Sequence, residues 1–377
     1  MNLIEFGTIS HIKKGKKPLR QIDKPQAGYR PYVDIEAFET GNIKMYTDGE
    51  KCLPCKAGDI LIVCDGSRSG FVGKAIDGYV GSTLAIISAD GMSQEYLYYF
   101  LQGKYALLNT KKKGTGTPHL DANILNQQKL VVPSIEEQKR IVAKIEELFS
   151  ELDNGVETLK KTKRQLTVYR QAVLKEAFSS CTKTVTVESV CQHVTDGDHM
   201  PPPKTKDGIP FIMISNIENH IIDWSNTAFV GDEYYNNIDD KRRPSKGDVL
   251  YTVTGSYGIP VLIDFEKKFC FQRHIALLRP KNNINQKYLY YAMQEPGVYS
   301  QATKGATGTA QKTVGLAVLR KIQLPFCDDV DTQIKIVNDI ETKMSLCDSI
   351  EKTVDTALQQ AEATRQSILK KAFEGRL

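Results

Sequence analysis

Long apolar runs are missing from this chain of 377 residues. None approaches the roughly 20 residues of a membrane span, and Met1-Asn-Leu-Ile-Glu-Phe6 lacks the basic stretch and apolar core of a secretory leader. The eight cysteines, several set in apolar patches (Cys64, Cys270, Cys347), suit a reducing compartment better than a disulfide scaffold. The expectation is a cytoplasmic protein without a membrane partner.

Catalytic signatures are scarce too. No Asn/Asp-Pro-Pro-aromatic motif occurs, and the single Pro-Pro-Pro run, Pro201 to Pro203, follows Met200. The stretch Gly70-Phe-Val-Gly-Lys-Ala75 falls short of a phosphate-binding loop. Arg68 stands where the first glycine belongs, and Ala75 where a hydroxyl would hold magnesium. Glu341-Thr-Lys343 mimics the end of a nuclease motif without its upstream Pro-Asp strand. Cys52 and Cys55 form a lone Cys-x-x-Cys, with no second pair to complete a zinc site. Asp196, Asp198 and His199 could ligate a metal, and polar turn chemistry explains them as well. The reading is a chain with no catalytic residues, metal or cofactor of its own.

Net charge is small, +5, but it is gathered in loops. Lys13, Lys14, Lys16, Lys17 and Arg20 share one stretch. Lys111, Lys112 and Lys113 lead into Gly114-Thr-Gly-Thr-Pro118, and Lys241, Arg242 and Arg243 precede Pro244. Cations in flexible loops can reach phosphates; solvated surface charge fits each cluster equally.

What the chain has is a duplication. Gln138 to Phe178 aligns with Gln333 to Phe373 without a gap, with 15 of 41 positions identical. Both copies open on Gln-x-x-Ile-Val-x-x-Ile-Glu and close on Arg-Gln-x-x-Leu-Lys-x-Ala-Phe. Upstream the match weakens: Lys56-Ala-Gly-Asp-Ile-Leu61 with Ser245-Lys-Gly-Asp-Val-Leu250, Tyr96-Leu-Tyr-Tyr99 with Tyr288-Leu-Tyr-Tyr291, Gly116-Thr117 with Gly308-Thr309. A period near 190 residues is far beyond the 20–50 of a solenoid. The chain therefore reads as two tandem domains, each followed by a helical tail.

Short β-rich runs (Asp59–Cys64, Leu84–Ile87) separated by glycine turns mark the first domain, with a helix at Glu95–Leu101. After Pro133, Ser134 and Glu137 have capping-box spacing; Asp328 or Asp329 caps the second copy. Ile145, Leu152, Leu159, Leu166 and Val173 then recur every seven residues, matched by Ile340, Cys347, Val354, Ala361 and Ile368. This spacing predicts long helices pairing along a seam. The companion series read beside it, Ile141, Leu148, Gly155 and Thr162, turns polar, so an imperfect zipper is expected. Antiparallel pairing would put the two domains at opposite ends of a spacer about 60 Å long, suited to half-sites on a duplex.

These motifs resemble the specificity (S) subunits of Type I restriction–modification systems. The resemblance rests on Val132-Pro-Ser-Ile-Glu-Glu-Gln-Lys-Arg-Ile-Val142, Arg170-Gln-Ala-Val-Leu-Lys-Glu-Ala-Phe178 and Arg365–Leu377, with the Lys-Gly-Asp and Gly-Thr loops, and spans essentially the whole chain. It implies an α+β fold of two α/β target-recognition domains (residues 1–132 and 181–325), each followed by a long helix (133–180 and 326–377) used for spacing and assembly. It also implies a non-catalytic subunit that reads a bipartite, asymmetric site on double-stranded DNA. Two adenine-N6 methyltransferase (M) subunits and restriction (R) subunits would be its partners. S-adenosylmethionine, ATP and magnesium would belong to those partners. The alternative left open is a coiled-coil scaffold or dimerisation protein binding other proteins.

For DNA contact, the candidates are polar loop residues able to meet phosphates or base edges. In the first domain these are Lys13, Lys14, Lys16, Lys17, Arg20, Ser67, Arg68, Ser69, Lys113, Thr115, Thr117 and His119. The second offers Ser256, Tyr257, Gln272, Arg273, His274, Lys304, Thr307, Thr309, Gln311 and Lys312. Ile145, Leu152, Leu159, Leu166, Val173, Ile340, Val354 and Ile368 are the expected assembly-helix positions.

Overall fold

The computed structural model describes residues 3–111, 118–199 and 202–377. It divides into two compact units, Met1–Lys160 with Asp355–Leu377, and Lys161–Val354. Neither unit keeps a whole long helix: each is a β-rich domain together with a part of both.

In the first unit, strands Ser10–Lys14, Leu84–Ala89, Ile60–Val63 and Val72–Lys74 lie side by side in that order, all antiparallel. A second sheet runs Tyr46–Thr47, Arg30–Val33, Gly78–Val80, Pro54–Cys55, with Arg30–Val33 and Gly78–Val80 parallel. Period-two alternation explains why Ile60–Val63 is apolar at every position. Ile60 and Ile62 pack with Phe6 and Phe100 on one face, while Leu61 and Val63 join Val33 and Val80 on the other.

The second unit repeats this topology. Its antiparallel sheet runs Cys191–Asp196, Ile275–Pro280, Val249–Thr252, Pro260–Leu262. The other sheet again holds one parallel pair, Ile209–Ile212 with Cys270–Phe271. Val249 and Tyr251 face one cluster and Leu250 the other. The paired Gly-Asp motifs, Gly58-Asp59 and Gly247-Asp248, are tight turns leading into these central strands. Gly58 and Gly247 take φ of 93° and 96°, a region open to glycine. Asp59 and Asp248 each accept the amide three residues back, at 2.8 Å.

The long helices run Ile135–Ala177 and Val330–Phe373. Their starts are capped as read, by Ser134 (from Glu137 N, 3.3 Å) and by Asp329 rather than Asp328 (from Thr332 N, 2.9 Å). Within each unit the two helical parts run antiparallel. In the first, Ile145 and Phe149 pack with Leu369 and Ala372, and Arg365 pairs with Asp153 while lying 4.2 Å from the Phe149 ring centroid. In the second, Arg170 Nη2 lies 2.8 Å from Asp348 and 2.9 Å from Glu351, and Lys163 3.5 Å from Glu351. Arg170 and Arg365, like Asp153 and Asp348, are equivalent in the repeat, so one ion pair is built twice.

The seam series is buried at Ile145, Leu166, Val173, Ile340, Cys347 and Val354, and half-buried at Leu152 and Leu159. Its end shifts by one residue: Leu369 is buried and Ile368 only partly. The companion series needs correction. Ile141 packs against the Ile145–Leu369 cluster as read, but the deeper burial falls one residue on, at Val142 and Phe149, continued by half-buried Val156, Lys163 and Arg170, while Gly155 is exposed. Both series alternate four-three with Ile145, Leu152 and Leu159, so it is the deeper burial of Val142 and Phe149 than of Ile141 and Leu148 that separates them. The seam turns polar at Lys163 and Arg170 because these positions carry ion pairs across the helices.

The Gln shared by the two helix starts is fully buried in both. Gln138 accepts Ser93 N at 2.8 Å and donates to Gly91 O (2.7 Å) and Pro133 O (3.0 Å). Gln333 accepts Asn285 N at 2.9 Å and donates to Cys327 O, also 2.9 Å. Ser93 and Asn285 are themselves the caps of the Tyr-Leu-Tyr-Tyr helices, so each glutamine locks a long helix to its domain. Replacing Gln138 by Leu strands a part-buried amide and two carbonyls. We expect a loss of about 2–3 kcal/mol, a fall in Tm of roughly 4–10 °C by calorimetry. Exposed Lys139→Ala should leave Tm within ~1 °C; equal shifts for the two variants would refute the lock.

Candidate nucleic-acid interface

Most of the nominated loop residues of each domain gather at one end of its antiparallel sheet, where the backbone holds four segments together. In the first domain, Gly15 N donates to Leu84 O, Cys64 N to Thr83 O, Gly66 N to Pro118 O and Leu120 N to Cys64 O, all at 2.8–2.9 Å. In the second, Gly197 N donates to Ile275 O, Val253 N to His274 O, Gly255 N to Lys312 O and Val314 N to Val253 O. The two rims are the same construction. Gly15 and Gly197 are needed for it: a Cβ would lie 2.3 Å from Gly81 O at one and 2.1 Å from Phe271 O at the other.

On the first rim, Asp65 is a hub. It accepts from Lys14 Nζ and from His119 Nδ1, both at 2.7 Å. Burial works against its charge, yet these two donors hold its carboxyl below the usual range. Asn109 ties down the loop by donating to Ser67 O (3.0 Å) and Ser69 O (3.1 Å). Arg68 pairs with Glu39, its guanidinium 4.2 Å from the Phe71 ring centroid. Arg20 lies 3.6 Å from Asp48.

Ser69 corrects the sequence reading. Its side chain is fully buried, and its hydroxyl lies 2.7 Å from Gly66 O and 3.2 Å from both Cys64 O and Pro118 O. It staples the loop and is closed to a ligand. Lys113, Thr115 and Thr117 lie outside the described residues.

On the second rim, Tyr257 stacks on Tyr299 with centroids 5.9 Å apart and an interplanar angle of 16°, and its hydroxyl donates to Thr303 at 3.3 Å. Thr252 anchors the loop by donating to Ser256 O (2.7 Å) and accepting Ile259 N (2.9 Å). Thr307 pairs with Thr313 through two backbone hydrogen bonds, presenting Thr309, Gln311 and Lys312 on an exposed turn. Gln272, Arg273 and His274 form the turn into Ile275, beside Asp198. Burial and the adjacent Arg273 lower the pKa of His274, keeping it neutral at physiological pH. Lys304 occupies the last turn of the helix Pro296–Gly305.

Lys13, Lys16, Lys17, Arg273, Lys304 and Lys312 are exposed and form no ion pair with a described residue. They are cations available to an external anion. Two rim residues escaped the sequence reading, Ser82 and Thr83, which occupy the place of Arg273 and His274 in the first domain and are half-exposed. Neither carries charge, and only alignment of the two rims reveals them. In the Cys-x-x-Cys, Cys55 donates to Ile76 O and Cys52 to Glu50 O. Among the described residues no cluster of metal-ligating side chains occurs, and no helix is long and apolar enough to cross a membrane.

The family model described as the Type I restriction modification DNA specificity domain matches residues 1–167 and again 183–360. The Type I restriction enzyme MjaVIII specificity subunit of Methanocaldococcus jannaschii is 25% identical over 353 residues, covering 86% of this chain and 81% of its own. The EcoBI specificity subunit of Escherichia coli is 24% identical over 383 residues, covering 92% and 80%. Two solved structures share the fold. A chain from a study of complex assembly and conformational transition of the type I R-M system superposes with a TM-score of 0.73 at 20% identity, covering 100% of this chain and 98% of that one. The HsdS subunit from Thermoanaerobacter tengcongensis gives 0.52 at 19% identity, covering 100% and 97%. Matched twice along nearly its whole length, this chain belongs to the DNA specificity subunits of Type I restriction–modification systems.

Proposed function

We propose that each rim reads one half of a bipartite, asymmetric DNA sequence, and that the chain directs adenine-N6 methyltransferase and restriction subunits to that site. One observation carries this reading: the two rims share a backbone scaffold but differ in nearly every side chain it presents. Equal frames with unequal contacts suit unequal half-sites. The duplicated helices, alike in both copies, suit a pair of identical methyltransferase subunits. The chemistry, with S-adenosylmethionine, ATP and magnesium, belongs in this reading to the partners. The scaffold alternative is not favoured, since the family is a DNA specificity family.

Duplex binding by the full-length chain provides the test. With six or more phosphates neutralised, affinity should fall about a thousandfold between 50 and 200 mM salt. Binding indifferent to salt, or no retention of duplex DNA, would count against the proposal.

A further inference from the structure

The two rims differ most informatively at the tip of one hairpin. Strands Ile60–Val63 and Val72–Lys74 are joined by a loop closed by Gly70 N to Val63 O (2.8 Å), and Val249–Thr252 and Pro260–Leu262 by one closed by Gly258 N to Thr252 O (2.9 Å). In both loops a left-handed glycine, Gly66 or Gly255, docks on the neighbouring segment. The second residue after that glycine is Arg68 in one domain and Tyr257 in the other.

Neither side chain is loose. Arg68 is held through Nη1 by Glu39, from the helix Ile35–Thr40, and by stacking on Phe71, which is itself edge-on to Phe38 and Tyr105. Glu39 is only 18% exposed, and its Oε1 is buried without a hydrogen-bond partner among the described residues. A buried carboxylate is costly unless paired, so Arg68 is its counter-charge and is fixed by it. An arginine needing only solvation would not require a buried acid and an aromatic shelf. Tyr257 is fixed by the stack on Tyr299 and the bond to Thr303.

Rigid side chains at equivalent tips are what sequence readout requires, because pre-ordering removes the entropy cost of contact. Resting on the DNA reading proposed above, we infer that Arg68 reads a guanine in the first domain's half-site and that Tyr257 sets a base preference in the other half. A guanidinium with one edge on Glu39 retains donors for the O6 and N7 acceptors of guanine. A tyrosine whose hydroxyl is already engaged offers its ring to an apolar group such as the thymine methyl.

The test uses the full-length chain with its methyltransferase subunits and a pool of randomised duplexes, sequencing the bound fraction. For Arg68→Gln, which can still donate to Glu39, guanine enrichment at one position of one half should fall tenfold to a hundredfold. The other half should be unchanged; losing the counter-charge of Glu39 should lower Tm, so both proteins are compared at a temperature where calorimetry shows them folded. Tyr257→Ala should alter only the opposite half. The inference is overturned if Arg68→Gln weakens all duplexes equally, as loss of a phosphate contact would, or leaves the motif intact. A wild-type complex that enriches no motif would overturn the DNA reading itself. A bipartite wild-type motif indifferent to Arg68 would overturn only the assignment of this residue.

Discussion

Ile145→Asp and Ile340→Asp should each destabilise the protein by about 4 kcal/mol or more, a large part of the 5–15 kcal/mol that holds a typical domain folded. Both isoleucines have no solvent exposure. Ile145 sits among Phe149, Leu369 and Ala372, and Ile340 in the cluster around Tyr288 and Leu324. A carboxylate there loses about 2–3 kcal/mol of apolar burial and, set inside an apolar cluster, bears a desolvation cost as well. Leu159 belongs to the same heptad series but is half-buried, so Leu159→Asp can turn its carboxylate to water and should cost ~1–2 kcal/mol. Urea titration followed by circular dichroism separates the two cases. Equal losses at Leu159 and Ile145 would mean that the seam is not what ties the helical parts together.

Exchanging Lys13, Lys16 and Lys17 together for Gln should reduce duplex affinity on the order of a hundredfold at 0.1 M salt and flatten the log–log salt slope by about 3 units. All three are exposed beside Gly15 on the first rim, with no acid among the described residues to neutralise them. The loss should be uniform across duplex sequences, because phosphates carry no base identity. Fluorescence anisotropy with cognate and scrambled duplexes measures both quantities. A slope unchanged by the triple exchange would place the phosphate path elsewhere on the domain. Since the lysines lie on a solvent-facing edge strand and the loop after it, folding stability should be nearly untouched.

The frame was more legible than the interface, for a physical reason. Helix starts announce themselves through caps, and Ser134 and Asp329 do so here. The seam showed through its seven-residue period, but in its companion the deeper burial falls one residue beyond the positions read. Ile141 does pack against the Ile145–Leu369 cluster, but Val142 and Phe149 are buried more deeply, and the ion pairs across the helices come from Lys163 and Arg170. A binary pattern cannot recognise ion pairs inside a seam. Apart from the Gly-Thr pair, whose first copy lies outside the described residues and whose Thr309 is exposed on the second rim, the repeated motifs are framework. Gln138 and Gln333 bind the helices to their domains, Gly-Asp builds a turn, and Tyr96 and Tyr288 pack against Phe373 and Phe178.

Interface residues depend on which loops the sheet brings together, and no local signal encodes that. Loop composition therefore picked out Arg68, His119 and Arg273, which lie on the rims, and also Ser69, whose hydroxyl is spent on three carbonyls. It passed over Ser82 and Thr83, visible only when the two rims are superposed through their hydrogen bonds. Among the described residues, Gln138, Gln333, Tyr96 and Tyr288, alike between the copies, hold the frame, whereas Arg68 and Tyr257, which differ, sit at the tips of the rims.

The claim that two rims read two half-sites is tested most directly by mapping methylated adenines genome-wide in cells carrying this chain with its methyltransferase subunits. The account predicts one motif made of two unlike specified halves separated by a fixed unspecified spacer, with methylation lost when the chain is deleted. A single uninterrupted motif, two identical halves, or methylation unchanged by the deletion would contradict it.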